Sequence, residues 1–478
     1  MKLVEIARIL GSTADGTQTN SVEPLGYSID SRGIRQGELF FAIRGENHDG
    51  HQFVEAALAG GALAAVVAQD WIAPAPAPEA KLIRVGDTLA ALQSLAASLV
   101  RTWRGRLIAI TGSMGKTTTK EMTAALLASG GRVIKTVGNL NNAYGLPLSI
   151  LKMESDGCHA SEFDFGVFEM GMNHRGELAA LAGIAPPDVA VVTNVAPVHL
   201  EYFSSVDEIA AAKAELVSNV KQNGAAVLNA DDERVARMKG LRSDLVVRTF
   251  GIERNADVTA LALRAEGVAV TRFQLVTPRG SVQARLQLGG RHNVYNALAS
   301  AAVADFCGIP LDRIADALAA FSAPKMRGEV LKFQEGFTVI DDSYNSNPRA
   351  LVEMSATISG AEGYGRRIVV AGEMLELGSA GPELHREAGR SIATYGVDLL
   401  IGVRGLAREL VEGARRNGLK PECALFCETP EEAAEILKQE ARPGDLILVK
   451  GSRGVRTDIV VRRMKEWSEE RGKASERE

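Results

Sequence analysis

Residues 110–120 decide the fold: they read Ile-Thr-Gly-Ser-Met-Gly-Lys-Thr-Thr-Thr-Lys and follow an apolar run at 107–110. A strand that ends in a glycine-rich turn and then opens a helix directs several backbone N–H groups at one point, together with the positive end of the helix dipole. A triphosphate fits that point, where Lys116 would reach the β/γ-phosphates and Thr117 would offer its hydroxyl to Mg²⁺. We therefore predict ATP binding by Gly112, Ser113, Met114, Gly115, Lys116, Thr117 and Thr118.

The loop departs from the standard P-loop, which has a glycine five positions before the Gly-Lys pair. Ile110 occupies that position, and the first glycine is Gly112. The alternative is a tight turn with a chance lysine. The apolar run before the loop and the helical pattern after it favour the phosphate loop.

Composition excludes several classes of protein. The chain has 478 residues and a formal net charge of −5. It carries no long basic run, which argues against nucleic acid as a partner. No apolar stretch approaches the roughly 20 residues of a membrane span. Its four cysteines lack the spacing of a zinc site or a disulfide framework and suggest reduced thiols. We expect a soluble, cytoplasmic protein with no nucleic-acid or membrane partner.

The apolar pattern divides the chain into three α/β units, at residues 1–105, 106–322 and 323–478. The first unit has strand-like runs at 39–43 and 62–68. The second alternates apolar runs with helical patterns, which predicts a mostly parallel sheet. Its runs lie at 107–110, 132–137, 163–169, 189–195 and 225–229, with an antiparallel addition at 258–276 and 281–288. Runs at 338–340, 367–371, 399–403 and 446–449 predict a doubly wound third unit.

Polar residues at strand ends are candidates for chemistry. Because the carboxyl ends of parallel strands share one edge, Lys116, Glu169 and His199 are expected to converge on the triphosphate. Glu169 and His199 are candidate Mg²⁺ ligands there, although His199 taken alone is more often a hydrogen-bonded structural residue. For Lys213 the pattern alone favours a solvated lysine paired to a neighbour.

Two further polar segments leave alternatives open. Residues 290–296 suit an adenine edge or ordinary helix capping. Residues 341–348 suit a turn, or a contact with a ribose or an ammonium group.

Several segments in one order carry a family resemblance. They are Thr-Gly-Ser-Met-Gly-Lys-Thr-Thr (111–118), Glu-Met-Gly (169–171), Thr-Asn-Val-Ala-Pro-x-His-Leu-Glu (193–201) and Gly-x-His-Asn-x-x-Asn (290–296). Together they resemble the Mur ligases. Asp-Asp-Ser-Tyr-Asn-x-Asn-Pro (341–348) and Gly-Asn-Leu-Asn-Asn (138–142) resemble the MurF branch of that family. The resemblance extends from residue 30 to residue 454.

The resemblance implies a small N-terminal UDP-binding domain, a central ATPase and a Rossmann-like C-terminal domain for the incoming amine. It places the sugar-nucleotide substrate near Ser31, Arg32, Asn141 and Asn142, and further substrate contacts at Tyr344, Asn345 and Asn347. Thr117, Glu169, His199 and an N-carbamylated Lys213 would hold Mg²⁺, with two ions expected. His292, Asn293 and Asn296 would face the nucleotide, and Arg327 and Asp342 would reach ATP across the interdomain cleft.

The implied reaction is ATP-driven amide formation through an acyl phosphate, joining D-alanyl-D-alanine to UDP-N-acetylmuramoyl-tripeptide, by a protein expected to be a monomer. Glu373 stands where the MurF form has aspartate, which leaves its role open. One alternative is a sister amide ligase, which adds the third peptide residue or resembles folylpolyglutamate synthetase. The other is a P-loop NTPase that acts as a switch or motor.

Overall fold

The computed structural model describes residues 1–12, 21–45, 48–73, 81–198 and 200–475, so His199 lies outside the described residues. Three sheets, each with helices packed on it, follow one another along the chain. The predicted three-part α/β fold with mostly parallel sheets is confirmed. No helix within the described ranges combines the length and the apolar character needed to cross a membrane.

The first sheet is four-stranded, parallel and ordered β1-β2-β3-β4. Its strands are β1 (Gly26–Ser28), β2 (Glu38–Phe41), β3 (Ala64–Ala68) and β4 (Leu82–Val85), and its helices are α1 (Leu3–Ile9), α2 (Val54–Ala59) and α3 (Thr88–Thr102). Leu92 and Leu95 of α3 belong to the same buried cluster as Leu107 and Leu146 of the second unit. The first two units therefore share a core.

The second sheet has nine strands in the order β13-β12-β11-β10-β9-β8-β5-β7-β6, parallel from β6 to β11 and antiparallel at β12 and β13. The strands are β5 (Arg106–Thr111), β6 (Val133–Lys135), β7 (Phe165–Glu169), β8 (Val189–Val192), β9 (Ala225–Asn229), β10 (Val246–Gly251), β11 (Val258–Glu266), β12 (Val270–Thr277) and β13 (Gly280–Leu286). Its helices are α4 (Lys116–Leu127), α5 (Gly145–Leu151), α6 (Glu177–Ile184), α7 (Val206–Ser218), α8 (Glu233–Arg237), α9 (Arg291–Phe306) and α10 (Leu311–Ala320). The run predicted at 258–276 is two strands, because the chain turns at Gly267, where φ is +63°.

The third sheet has six strands in the order β14-β15-β19-β16-β17-β18, and all its pairs are parallel except β14 with β15. The strands are β14 (Glu329–Lys332), β15 (Thr338–Asp342), β16 (Arg367–Gly372), β17 (Leu399–Val403), β18 (Ala424–Cys427) and β19 (Leu446–Lys450). The helices are α11 (Pro348–Ser359), α12 (Gly381–Thr394), α13 (Ala407–Arg416), α14 (Pro430–Glu440) and α15 (Asp458–Ser475). This is the predicted doubly wound unit, and the carboxyl ends of β15, β19 and β16 lie side by side facing the second unit.

Candidate active site

The loop between β5 and α4 needs glycine at two positions. Gly112 has a φ of +151° and Gly115 a φ of +79°. A Cβ atom at Gly112 would lie 1.9 Å from Thr193 Oγ1, and one at Gly115 would lie 2.4 Å from Asn296 Oδ1. Helix α4 begins at Lys116 with no side-chain cap. Its first N–H groups therefore remain available for an anion.

Asn194, which follows β8, braces the loop. Its backbone carbonyl accepts a hydrogen bond from the Ser113 N–H at 3.0 Å, and its Oδ1 accepts one from the Met114 N–H at 2.9 Å. Its Nδ2 donates to the Met114 carbonyl at 3.1 Å. Sequence reasoning missed this residue, although the polar Thr-Asn pair near the end of the apolar run predicted at 189–195 was a signal for it.

Lys116 lies against the loop, where its Nζ donates to the Gly112 carbonyl at 2.8 Å. Burial lowers the pKa of this lysine; the Glu169 carboxylate opposes the shift, and the Arg327 guanidinium adds to it. A phosphate placed beside the ammonium would favour its charged form.

Glu169, at the end of β7, joins three of the predicted site residues. The side chain is buried, its Oε2 accepts a hydrogen bond from the Thr117 hydroxyl at 2.7 Å, and its Oε1 accepts one from Asn141 Nδ2 at 2.8 Å. The hydroxyl and carboxylate oxygens are the hard donors that Mg²⁺ prefers. Within the described ranges no three His, Cys, Asp or Glu side chains gather as a metal site. A metal here would therefore need donors besides Thr117 and Glu169.

Lys213, on α7, is only 2% exposed, which is at odds with a solvated lysine. Burial, with a contribution from the charge of Lys116, holds its pKa well below the usual range. Its side chain makes no hydrogen bond or ion pair with any other described residue. The neighbouring Glu215 instead accepts hydrogen bonds from the backbone N–H groups of Gly176 and Ala179, at 2.8 and 3.2 Å.

The start of α9 packs against the phosphate loop. Asn296 Oδ1 accepts a hydrogen bond from the Thr119 hydroxyl at 3.2 Å, and its Nδ2 donates to Asn293 Oδ1 at 3.2 Å. Burial lowers the pKa of His292, although the carboxylates of Asp342 and Glu353 oppose the shift. The helix starts after Gly290 without a side-chain cap, so these residues do not act as caps.

The third unit completes the site from the other side. The Arg327 Cζ lies 4.0 Å from the centroid of the Tyr344 ring, a cation–π contact. Asp342 Oδ2 accepts a hydrogen bond from Lys450 Nζ at 2.6 Å, and the same ammonium donates to the Asn345 carbonyl at 2.9 Å. Lys450, at the end of β19, was not predicted, because its carboxylate partner lies 108 positions earlier in the chain.

One cavity of about 1480 Å³ joins the two halves. Its lining includes the predicted residues Ser113, Met114, Gly115, Lys116, Thr117, Thr118, Asn141, Asn142, Glu169, Lys213, His292, Asn293, Asn296, Arg327, Asp342, Tyr344, Asn345 and Asn347. Several of the asparagines also form hydrogen bonds with the backbone, Asn142 and Asn347 among them. Asn142 Oδ1 accepts from the Gly145 N–H at 3.0 Å, and Asn347 Oδ1 caps α11 through the Ala350 N–H at 2.9 Å.

Ser31 and Arg32 do not line this cavity. They form a short turn in the first unit, where Asp30 accepts hydrogen bonds from the Arg32 N–H at 3.0 Å and from its Nη2 at 2.7 Å. The guanidinium and backbone of Arg32 lower the pKa of Asp30 to about 2. A substrate that touches both regions must therefore extend from the cavity into the first unit.

Glu373 has a structural role in this conformation. Its Oε1 accepts a hydrogen bond from the Leu406 N–H at 3.0 Å, beside Gly405, where φ is +51°. A Cβ atom at Gly405 would lie 2.3 Å from Glu373 Oε2. The carboxylate thus fixes the turn that leads into α13.

A phosphate loop on a parallel sheet, facing a second doubly wound sheet across one cavity, defines a multidomain α/β enzyme whose site is shared between domains. Three family models match the chain in order: the Mur ligase family catalytic domain over residues 25–99, the Mur ligase middle domain over 110–304, and the Mur ligase glutamate ligase domain over 326–453. The chain belongs to the Mur ligase family.

Individual relatives agree with this assignment. The chain is 33% identical over 459 residues to the UDP-N-acetylmuramoyl-tripeptide–D-alanyl-D-alanine ligase of Bacillus subtilis (strain 168), covering 96% of each. The crystal structure of MurF from Acinetobacter baumannii superposes with a TM-score of 0.85 at 30% identity, over 97% of this chain and 98% of that one. The MurF ligase from Thermotoga maritima in complex with ADP gives 0.80 at 29% identity, over 93% and 98%.

Proposed function

We propose that this protein joins D-alanyl-D-alanine to UDP-N-acetylmuramoyl-tripeptide at the expense of ATP, in the synthesis of peptidoglycan precursors. The observation that carries the proposal is the shared cavity, in which the phosphate loop meets Asp342 and Lys450 of the third unit. The names of the relatives over nearly the whole chain, and the ADP bound to the Thermotoga maritima structure, support the same activity.

The reaction has two steps. An oxygen of the terminal carboxylate of the tripeptide attacks the γ-phosphorus of ATP, ADP leaves, and an acyl phosphate forms. The amine of D-alanyl-D-alanine then attacks the acyl carbon, phosphate leaves, and the nitrogen loses a proton. Phosphoryl transfer needs positioning and charge neutralisation more than protein nucleophiles. In this chain Lys116 and Arg327 supply the positive charge.

Magnesium would be held by Thr117 and Glu169, together with His199 and a modified Lys213. When bound, it would neutralise charge on the phosphate oxygens. We infer that two ions bind, as the resemblance to the Mur ligases implies, with Thr117 and Glu169 as a first pair of donors. The hydrogen bond between Thr117 and Glu169 supports the first pair, since it places two oxygen donors together.

We infer that Lys213 is N-carbamylated. The modification requires a neutral amine, and burial lowers the pKa of Lys213 in the direction that favours one. The resulting carbamate would offer oxygen donors to Mg²⁺, whereas an unmodified ammonium would repel it.

The remaining assignments follow from the same proposal. We divide the chain at 105/106 and 322/323 into domains for UDP, ATP and the incoming amine. Ser31 and Arg32 would contact the UDP end of the substrate, and Asn141 and Asn142 its middle. His292, Asn293 and Asn296 would face the nucleotide, and Tyr344, Asn345 and Asn347 would line the side of the amine. We place the enzyme in the cytoplasm as a monomer.

The test is phosphate release and product mass, measured with each acceptor and each amine in turn. The proposal predicts that phosphate release requires ATP, UDP-tripeptide and D-alanyl-D-alanine together, and that the product gains the mass of the dipeptide less water. Phosphate release that is independent of the small molecules would instead indicate an NTPase switch. Ligation of a single amino acid to the UDP-dipeptide would indicate a sister ligase.

A further inference from the structure

Two loops of the third unit lie side by side at the edge of the cavity. The first, residues 373–378, follows β16; the second, residues 452–454, follows the adjacent strand β19. The Leu375 N–H donates to Ser452 Oγ at 3.0 Å, and a Cβ atom at Gly454 would lie 2.9 Å from Leu375 Cδ1. We call them the paired loops.

The first of the paired loops is held in an unusual conformation. Glu376 has a φ of +65°, which is costly for a residue with a side chain, and Gly378 has a φ of +54°. His385 fixes the loop from beneath, because its Nε2 accepts a hydrogen bond from the buried Met374 N–H at 2.9 Å. Strained backbone that neighbouring contacts hold in place is typical of functional sites.

The same loop reaches the second unit. A Cβ atom at Gly378 would lie 3.5 Å from Glu201 Cα and from the Leu200 carbonyl. Glu376 lines the cavity, and its negative charge raises the pKa of Lys116 against the effect of burial. Glu376 therefore belongs to the same cavity as the phosphate loop.

The second of the paired loops offers a cation. Arg453 also lines the cavity, and 53% of its side chain is exposed. Its Nη1 lies 3.8 Å from Met326 Sδ and 3.6 Å from Asp458 Oδ1, and Asp458 also pairs with Arg456 at 3.1 Å. Both contacts of Arg453 are made by Nη1. The other nitrogens of the guanidinium group remain suitably placed to bind a carboxylate.

We propose that the paired loops bind the incoming amine substrate: Glu376 receives its ammonium group, Arg453 its carboxylate, and Leu375 its small apolar side chains. This inference rests on the proposed function, which requires a zwitterionic dipeptide with two methyl side chains. Leu375 is 42% exposed and lines the cavity; it precedes Glu376 in the chain and lies beside Gly454, the neighbour of Arg453, so the loops match the dipeptide in both charge and polarity. The orientation directs the amine toward Lys116, where the acyl phosphate would form.

The test pairs two variants with two substrate analogues. Propionyl-D-alanine lacks the ammonium group and is measured as a competitive inhibitor; D-alanyl-D-alaninamide lacks the carboxylate and is measured by kcat/KM. In the unaltered enzyme each loss should weaken binding about 10- to 100-fold, as expected for a charged hydrogen bond. In Glu376→Gln the preference for the ammonium group should vanish while the preference for the carboxylate remains. Arg453→Gln should show the reverse.

Matched controls are Glu383→Gln and Arg416→Gln, which remove exposed charges of the same unit outside the cavity. Both should keep both preferences, and all four variants should keep the KM for ATP and for UDP-tripeptide. The inference is wrong if Glu376→Gln and Arg453→Gln retain both preferences. It is also wrong if they raise the KM values for ATP, UDP-tripeptide and D-alanyl-D-alanine alike. Absence of any ligation of D-alanyl-D-alanine by the unaltered enzyme would refute the proposed function instead.

Discussion

Replacing His385 by phenylalanine should loosen the loop 373–378 without disturbing the phosphate loop. The imidazole is fully buried, its Nδ1 donates to the Gly381 carbonyl at 2.7 Å, and its Nε2 accepts from the Met374 N–H at 2.9 Å. Phenylalanine keeps the ring but leaves the Met374 N–H without an acceptor. The unsatisfied Met374 N–H costs about 1–3 kcal/mol, and the lost hydrogen bond to the Gly381 carbonyl costs about 1 kcal/mol. The closed loop should therefore lose about 2–4 kcal/mol of stability.

The stability that His385 gives to the closed loop should decrease as pH falls. Burial lowers the pKa of His385, although the Gly381 carbonyl and the carboxylates of Glu373 and Glu409 oppose the shift. A protonated imidazole has two donors and cannot accept the Met374 N–H. In the opened loop the histidine titrates near its usual pKa of about 6.5. The closed loop is therefore fully stabilised above that pH and is destabilised as pH falls toward the lowered pKa, by at most about 1.4 kcal/mol per pH unit.

The measurement is hydrogen–deuterium exchange at the amides of 374–377, corrected for intrinsic rates, because a multidomain chain does not unfold in one two-state step. At pH 7.5 the variant should lose about 30-fold or more in protection, since about 1.4 kcal/mol corresponds to a factor of ten. The difference between the variant and the unaltered enzyme should narrow between pH 6.5 and 5.5. Equal protection at pH 7.5, or a difference that does not change with pH, would refute the reasoning.

Three further predictions concern the proposed chemistry. Lys116→Ala should lower the ligation rate by about 10²–10³ or more, because it removes the positive charge beside the β/γ-phosphates. Calorimetry should show UDP-tripeptide binding nearly intact, and near-normal turnover would contradict the assignment. Lys213→Ala should be inactive and partly rescued by acetate, whereas Lys213→Arg should not be rescued, and mass spectrometry under CO₂ should detect the carbamate. Small-angle scattering should show compaction when UDP-tripeptide and an ATP analogue are added together, and Arg327→Ala and Asp342→Ala should weaken it; an unchanged radius of gyration would argue against closure.

The strands that the sequence predicted best are those buried on both faces. Parallel strands between helix layers are nearly continuous apolar runs, so β5, β9 and β17 were found within a residue or two of their limits. The strands that were missed have mixed patterns or lie at edges. β10 carries Arg248 and Thr249 and is only partly buried, and β14 and β18 are the edge strands of the third sheet.

The candidate site was predictable where one rule of topology applied. Lys116 follows β5, and Glu169 is the last residue of β7, the parallel neighbour of β5. The order of the elements was therefore enough to predict that the two residues lie close together. Lys450 could not be found in this way, because its partner Asp342 becomes close only after the third sheet has formed. The sequence also could not show which of the two adjacent carboxylates, Asp341 or Asp342, reaches the cavity. Asp341 is buried and accepts a hydrogen bond from the Ser343 N–H, while Asp342 faces the cavity.

The distribution of charge gives a physical reason for dividing the site between domains. The phosphate loop presents Lys116 to a triphosphate, and the carboxylate of Glu169 is already engaged by Thr117 and Asn141. An ammonium substrate bound on that face would be repelled by Lys116. If Glu376 supplies the negative charge from the third unit, the ammonium group has a carboxylate partner on a different domain from the one that carries Lys116. The amine then approaches the acyl phosphate only when the paired loops contact the second unit, as Gly378 does beside Glu201. Closure at that contact would also limit the access of water, which would otherwise hydrolyse the intermediate.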